Sequence, residues 1–442
     1  MKKILKSLNI IGLIFFYSIN LSAQEKWTLK DCVERAIEKN ISIKNSRLDL
    51  INVQEDKKTA IGNFLPSLNY SGNHTWNTGL TQNITNGLLE NKTNQFSSVN
   101  MSVGLDIFNG LANIRRLHRA NLNILAKKYQ LEDMKEDISL LVANSYLQIL
   151  FNKEQLNIQK LQLKVSQEEF IIAKEKYNNG VIPKGDLYEI EAKLAKAEQN
   201  LVVSENSYRM SKISLSQLLL FKDVEKFEIA DEEYIIPESE IILKNVSEIY
   251  KVALRNRNDI KLAKTNLEIA KKDETISKSN LLPSIGSFYS FSSRVMVDAP
   301  TSFQEQYDLN SGKSFGLQIN IPILNGYATR AGIKKSKINV LRNKNILEQS
   351  KLDLENTVNQ SLNDARGALK AYEAAKKTNL ASKTSYNYAK ERFENGAMNT
   401  INFLQAQQRF ESSQSELIRA KYDYIFKIKV LEFYFGIPNL YL

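Results

Sequence analysis

Two hydrophobic periods take turns along this chain. Over residues 98–107 the alternation is strict: Val99, Met101, Val103, Leu105 and Ile107 are apolar, and Ser98, Asn100, Ser102, Gly104 and Asp106 are small or polar. A period of two predicts a strand with lipid or core on one side and water on the other. The pattern returns 216 positions later as Phe315, Leu317, Ile319, Ile321 and Ile323. Elsewhere the period is helical. Leu117, Ile124, Leu131 and Ile138 fall at sevens, as do Leu187, Leu194, Leu201, Tyr208 and Leu215, and both series recur from Ile333 and from Phe403. Sevens predict helices packed as coiled coils.

These periods divide the chain into two repeats. In residues 24–221 a leading helix to Asn63 stops at Leu65 and Pro66, because proline lacks a donor and pushes its predecessor into extended geometry. Strands then follow at 66–77 and 96–109, separated by a polar loop, before a helix at 111–177 and another at 186–221. The longer helix, at 1.5 Å per residue, reaches roughly 100 Å, more than a compact domain needs. Residues 222–243 read as a linker, and residues 244–442 repeat the series with strands at 284–297 and 313–325 and helices at 327–393 and 402–435.

Each long helix ends in the same kind of bend. Tyr177 precedes Asn179, Gly180 and Val181, and Phe393 precedes Asn395, Gly396 and Ala397. Glycine supplies the positive φ that a helix reversal requires, and Asp186 and Asn402 are positioned to cap the helices that follow.

Composition narrows the function. Residues 1–23 read as a secretory leader: Lys2, Lys3 and Lys6, an apolar run from Ile10, then Ala23. No later apolar run approaches the ~20 residues of a membrane helix, so any crossing is by strands. The formal charge is +11, three of it in the leader, and the basic residues are interleaved with acidic ones at helical spacing. That describes solvated helix faces, not a nucleic-acid surface. A lone Cys32 excludes an intramolecular disulfide, and His74 and His118 are too few for a multi-histidine metal centre. No nucleophile elbow, phosphate loop or cofactor motif stands out, so the chain is read as a non-enzyme without cofactor or metal. Four strands cannot close a barrel, and unpaired strand edges in hydrocarbon cost several kcal/mol per polar group, so closure requires other copies. Trp76, Phe96, Tyr289 and Phe315 suit an aromatic girdle.

The paired Asn-Gly bends, the two Leu-Pro strand starts, and the strand ends at Phe108, Asn109 and Gly110 and at Leu324, Asn325 and Gly326 resemble the TolC family of outer-membrane efflux proteins. The resemblance spans the mature chain. It implies an α+β, internally duplicated fold with four transmembrane strands per chain, a homotrimer with a twelve-stranded barrel, and a periplasmic helical coiled-coil barrel continuous with it. It implies a channel-tunnel of a tripartite efflux or type I secretion system in a Gram-negative outer membrane, working with a periplasmic adaptor and an inner-membrane RND-type or ABC-type pump. The alternatives are a passive outer-membrane channel and a secreted coiled-coil protein. By the same resemblance, adaptor contacts fall on Asn179, Gly180, Val181, Asn395, Gly396 and Ala397, and the periplasmic gate on Tyr177, Asp186, Phe393, Met398, Asn402 and Gln405. The family's gate carboxylates are replaced here by Asn402 and Gln405, and the partners of its acidic lock by Phe393 and Met398. The expectation is a less cation-selective constriction, closed by packing of Phe393, Met398 and Phe403, with Asp186 paired to Arg392.

Overall fold

The computed structural model describes residues 26–82, 87–230, 240–297 and 299–435. The leader therefore lies outside the described residues. Helices α1 (Leu29–Lys39) and α2 (Ile41–Gly62) lead into strands β1 (Ser67–Gln82) and β2 (Leu89–Asn109), then α3 (Ala112–Asn178) and α4 (Lys184–Leu218). The second half repeats this as α5 (Val246–Asn256), α6 (Asn258–Ser279), β3 (Ser284–Met296), a short α7 (Phe303–Leu309), β4 (Gly312–Asn320), α8 (Ala328–Glu394) and α9 (Thr400–Phe435). Helices α3 and α8 are each 67 residues long. None of the described helices is long and apolar enough to cross a membrane.

Both leading helices are broken where one helix was expected. Asn40 and Arg257 take extended backbone conformations, and each closes the first helix through its N–H to Ala36 or Ala253. The Asn40 side chain then accepts a bond from the Ser42 N–H at 2.9 Å, so the residue whose backbone closed α1 also caps α2.

The chain divides into two compact units. One holds Ser46–Leu131 and Asn258–Lys351, and with them all four strands. The strands form one antiparallel sheet in the order β1-β2-β3-β4, so β2 and β3 join the two repeats and β1 and β4 are the edges. The register places Leu68, Tyr70, Met101, Val103, Tyr289, Phe291 and Phe315 on one face. The other face carries Asn69, Ser71, Asn100, Ser102, Ser290, Ser292, Ser314 and Gln318.

Four expectations about strands change. The loop expected up to Gln95 is largely strand, because β1 continues to Gln82 and β2 starts at Leu89, paired as Gln82 with Leu89. Ile107 does not continue the alternation: a bulge falls between Asp106 and Phe108, and Phe108 pairs with Ile285. An extra residue in one strand shifts every later side chain by one position. β4 ends at Asn320, leaving Ile321 and Ile323 outside the strand. Pro322, which occupies the position matching Asp106 of the first repeat, has no N–H to extend the ladder. Phe96, finally, lies on the polar face, nearly buried and with the Arg294 guanidinium 4.0 Å from its ring centre, so it is no part of an aromatic girdle.

Beyond the start of β4 at Gly312, the free edge of β3 is occupied by α7. Gln306 accepts from the Met296 N–H at 2.9 Å and donates to the Met296 carbonyl at 3.0 Å, and Asn310 donates to the Arg294 carbonyl at 2.8 Å. These bonds satisfy ladder groups that would otherwise be unpaired.

The second unit holds the described residues through Asn45, Glu132–Arg257 and Leu352 onward. Its core includes Leu29, Cys32, Val142, Tyr146, Leu215, Phe227 and Ile425. Burial pushes the Cys32 thiol up to about 12, so it behaves as a small apolar residue. Part of the expected linker belongs to this core. Trp27 bridges Ile229, its N–H donating to Glu228 and its carbonyl accepting from Ala230, both at 2.8 Å, while Phe227 and Ile229 are buried.

Candidate functional site

The two helix bends, both in the second unit, are built by the same bonds. Beyond α3 the Gly180 N–H reaches the Tyr177 carbonyl at 2.9 Å and the Val181 N–H reaches back to Lys176 at 2.8 Å. Beyond α8 the Gly396 N–H reaches Phe393 at 3.1 Å and the Ala397 N–H reaches Arg392 at 2.7 Å. This is the Schellman closure, and both glycines have a φ of +73°. A Cβ at either glycine would meet nothing within 4 Å. Backbone conformation, not space, requires glycine there. Asn179, Gly180, Val181, Asn395, Gly396 and Ala397 are all exposed at the tips, and Tyr177 is half-buried.

The caps differ from expectation. α4 begins at Lys184 behind Pro183, which offers no side-chain cap, and Asp186 stands within its first turn. At the second bend Asn399, not Asn402, accepts from the Asn402 N–H at 2.9 Å and caps α9. Freed from capping, the Asp186 carboxylate accepts a hydrogen bond of 2.6 Å from the Thr400 hydroxyl, 214 residues away. Arg392, the partner expected for Asp186, instead donates to the Ala397 carbonyl at 3.4 Å.

Behind this bond lies an aromatic stack. The rings of Phe393 and Phe403 are 4.5 Å apart and 4° from parallel, with Tyr386 stacked on Phe403 at 6.1 Å. Met398 and Leu404 pack on the same cluster, and Lys176 of the first hairpin places its ammonium 5.2 Å from the Phe393 ring centre. An apolar cavity of about 300 Å³, lined in part by Ile172, Ile182, Ile190, Phe393 and Phe403, sits against it.

On the other side of α9 runs a groove of about 700 Å³ that includes Met398, Asn402 and Gln405. Arg392 and Arg409 line it too, and no carboxylate does. Sequence reasoning missed Thr400, Asn399 and Arg409. A Thr or Asn at a helix start looks like ordinary capping, and only the fold reveals a partner 214 residues away.

An amphipathic sheet with edges for further strands, joined in one chain to long helices that reverse at matched bends, defines a protein that crosses a membrane by strands and projects helical hairpins. The chain belongs to the outer membrane efflux protein family, whose sequence model matches residues 32–219 and 249–434. The alkaline protease secretion protein AprF of Pseudomonas aeruginosa is 21% identical over 394 residues, covering 84% of this chain and 77% of AprF. The outer membrane protein TolC of Vibrio cholerae is 21% identical over 358 residues, covering 78% and 79%. The crystal structure of the outer membrane protein VceC, also from Vibrio cholerae, shares the fold with a TM-score of 0.78 at 15% identity, covering 92% of this chain and 96% of VceC. The protein is therefore an outer-membrane channel of the efflux and secretion class, located in the Gram-negative outer membrane with a periplasmic portion.

Proposed function

We propose that three copies close a twelve-stranded barrel through β1 and β4, that their long helices form a periplasmic tunnel, and that the paired bends are its gate. Val99, Met101, Val103, Leu105, Phe315, Leu317 and Ile319 would then face lipid. The leader is residues 1–23, and the two repeats are 24–221 and 244–442. The duct makes and breaks no covalent bond: an inner-membrane pump, RND-type or ABC-type, supplies the energy, and a periplasmic adaptor engages the exposed tips at Asn179–Val181 and Asn395–Ala397. Relatives named for alkaline protease secretion and for toxin and drug export support a cargo of exported polypeptides or drug-like molecules.

The observation that carries this reading is the hydrogen bond from Thr400 to Asp186, which ties one bend to the other. A hydrogen bond to a charged group contributes about 1.5–3 kcal/mol, and the Lys176 ammonium of the first hairpin over the Phe393 ring of the second adds about 0.5–1 kcal/mol. A lock of ~2–4 kcal/mol holds the bends together when nothing else binds them. It is also weaker than the ~8 kcal/mol of a micromolar protein contact, so an adaptor that binds the parted bends better can open it.

Crosslinking in living cells, followed by purification from detergent-extracted membranes, tests the reading. Recovery of an adaptor with a proton-driven or ABC pump is expected. Recovery of this chain alone, under conditions that trap a control complex, would overturn the pump-coupled role.

A further inference from the structure

About two and a half to three helical turns from the bends, four helices meet around a charged cluster inside the second unit. Glu169 of α3 accepts a 2.7 Å bond from Lys193 of α4, and Lys193 also lies 4.0 Å from the carboxylate of Glu411 on α9. Gln407 of α9 donates to Glu169 at 3.4 Å, and Tyr386 of α8 packs beside them. The three charged side chains are only 17–22% exposed. Gln407 is 2% exposed, and its carbonyl oxygen has no hydrogen-bond partner. Two carboxylates therefore share one ammonium in a place with little water, leaving one negative charge uncompensated. Solvated helix faces do not look like this, and such a cluster is costly unless fully paired.

The cluster bridges the hairpins. Glu169 and Lys193 belong to the α3–α4 hairpin, while Tyr386, Gln407 and Glu411 belong to α8–α9. Parting the hairpins breaks the Lys193–Glu411 and Gln407–Glu169 contacts and returns Glu411 to water. We propose that Glu411, with Lys193 and Glu169, is an acid-sealed latch on the gate: a proton on Glu411 favours joined hairpins, and its loss frees them to part. This rests on the reading of the bends as the gate.

The groups facing Glu411 set the sign. Burial pushes its carboxyl up, and Glu169 pushes it further, while Lys193 and the Gln407 amide act against them; the net direction is upward. Burial first, then Glu169 and Glu411, also pushes the Tyr386 hydroxyl up to about 12, so it stays neutral and does not contribute charge. The joined state therefore holds the proton more tightly than the parted state. Its advantage is fully present below the ordinary glutamate range and is lost as pH rises through the elevated value.

Single-channel recording of the purified protein in planar bilayers, from about pH 4 to about pH 8, tests this. For the wild type the open-to-closed ratio should rise about tenfold from acid to neutral pH. Glu411→Gln, which keeps the shape and removes the charge, should remain in the low-conductance state with a flat profile. Lys193→Gln, which strips both carboxylates of their cation, should raise conductance at neutral pH. Thr400→Val separates the two claims, since it should raise conductance at every pH if the bends are the gate. If it does so while Glu411→Gln follows the wild-type profile, the latch alone is overturned. If neither variant alters conductance, the gate reading fails and the latch with it.

Discussion

Gly110 and Gly326 occupy equivalent turns just before the two long helices, with φ of +66° and +56°. Their surroundings differ. A Cβ on Gly110 would lie 2.6 Å from the Ser279 carbonyl oxygen and 2.9 Å from the Leu282 side chain, whereas one on Gly326 would meet nothing within 4 Å. Gly326→Ala should cost only the left-handed backbone penalty, about 1–2 kcal/mol, and Gly110→Ala should cost that plus a collision with backbone, at least ~3 kcal/mol. Urea denaturation of the detergent-extracted protein, followed by circular dichroism, should show the larger shift for Gly110→Ala; equal shifts would contradict the difference in packing. That glycine sits at these turns was legible, because an Asn-Gly pair after a strand signals a tight turn. That one turn is walled in and its duplicate is open was not, because neither wall is near in sequence. The same holds for Glu169 and Glu411, which look like solvated helix charges until α3 and α9 are brought together.

Whole elements were more legible than their ends. A period of two survives wherever one strand face is apolar, and sevens survive wherever helices pack, so strands and long helices could be placed from the periodicity alone. The bulge at Ile107 was hidden because an apolar residue there continues the alternation, and only the partner strand reveals the extra residue. The extension of β1 and β2 was hidden because Asn, Thr and Gly pair through the backbone as well as any residue does, as Thr78 with Thr93 shows. At the second bend the useful pattern is a helical stripe. Asn402, Gln405 and Arg409 follow one another at three and four along α9 and share their groove with Arg392. If that groove faces the tunnel, the constriction carries positive potential and prefers anions, and the preference fades at high salt as the Debye length shrinks to ~3 Å at 1 M. Reversal potentials in a salt gradient should show anion selectivity that Arg409→Gln reduces. A cation-selective wild type would contradict this account of the groove.

At the scale of the molecule, the duplication makes a further statement about how copies meet. Val99 of β2 faces Ser293 of β3, Met101 faces Phe291, and Val103 faces Tyr289. β4 repeats β2 at an offset of 216 and β3 repeats β1 at an offset of 217, as Leu65-Pro66 and Leu282-Pro283 show. Equivalent pairing of β4 with β1 of the next copy therefore puts Phe315 opposite Trp76, Leu317 opposite His74 and Ile319 opposite Gly72. Each of these pairs keeps both members on the apolar face, which a one-residue slip would not. The sequence could suggest that more copies are needed, since four strands leave two edges, but the register needed the β2–β3 pairing to be seen. The most direct test of the duct is a cysteine pair at Leu317 and His74, made in a Cys32→Ala background and oxidised in intact outer membranes. The account predicts a covalent trimer for this pair and almost none for a control at Leu317 and Tyr70. A failure to crosslink, or crosslinking of the control pair instead, would contradict a barrel closed in this register by three copies of the chain.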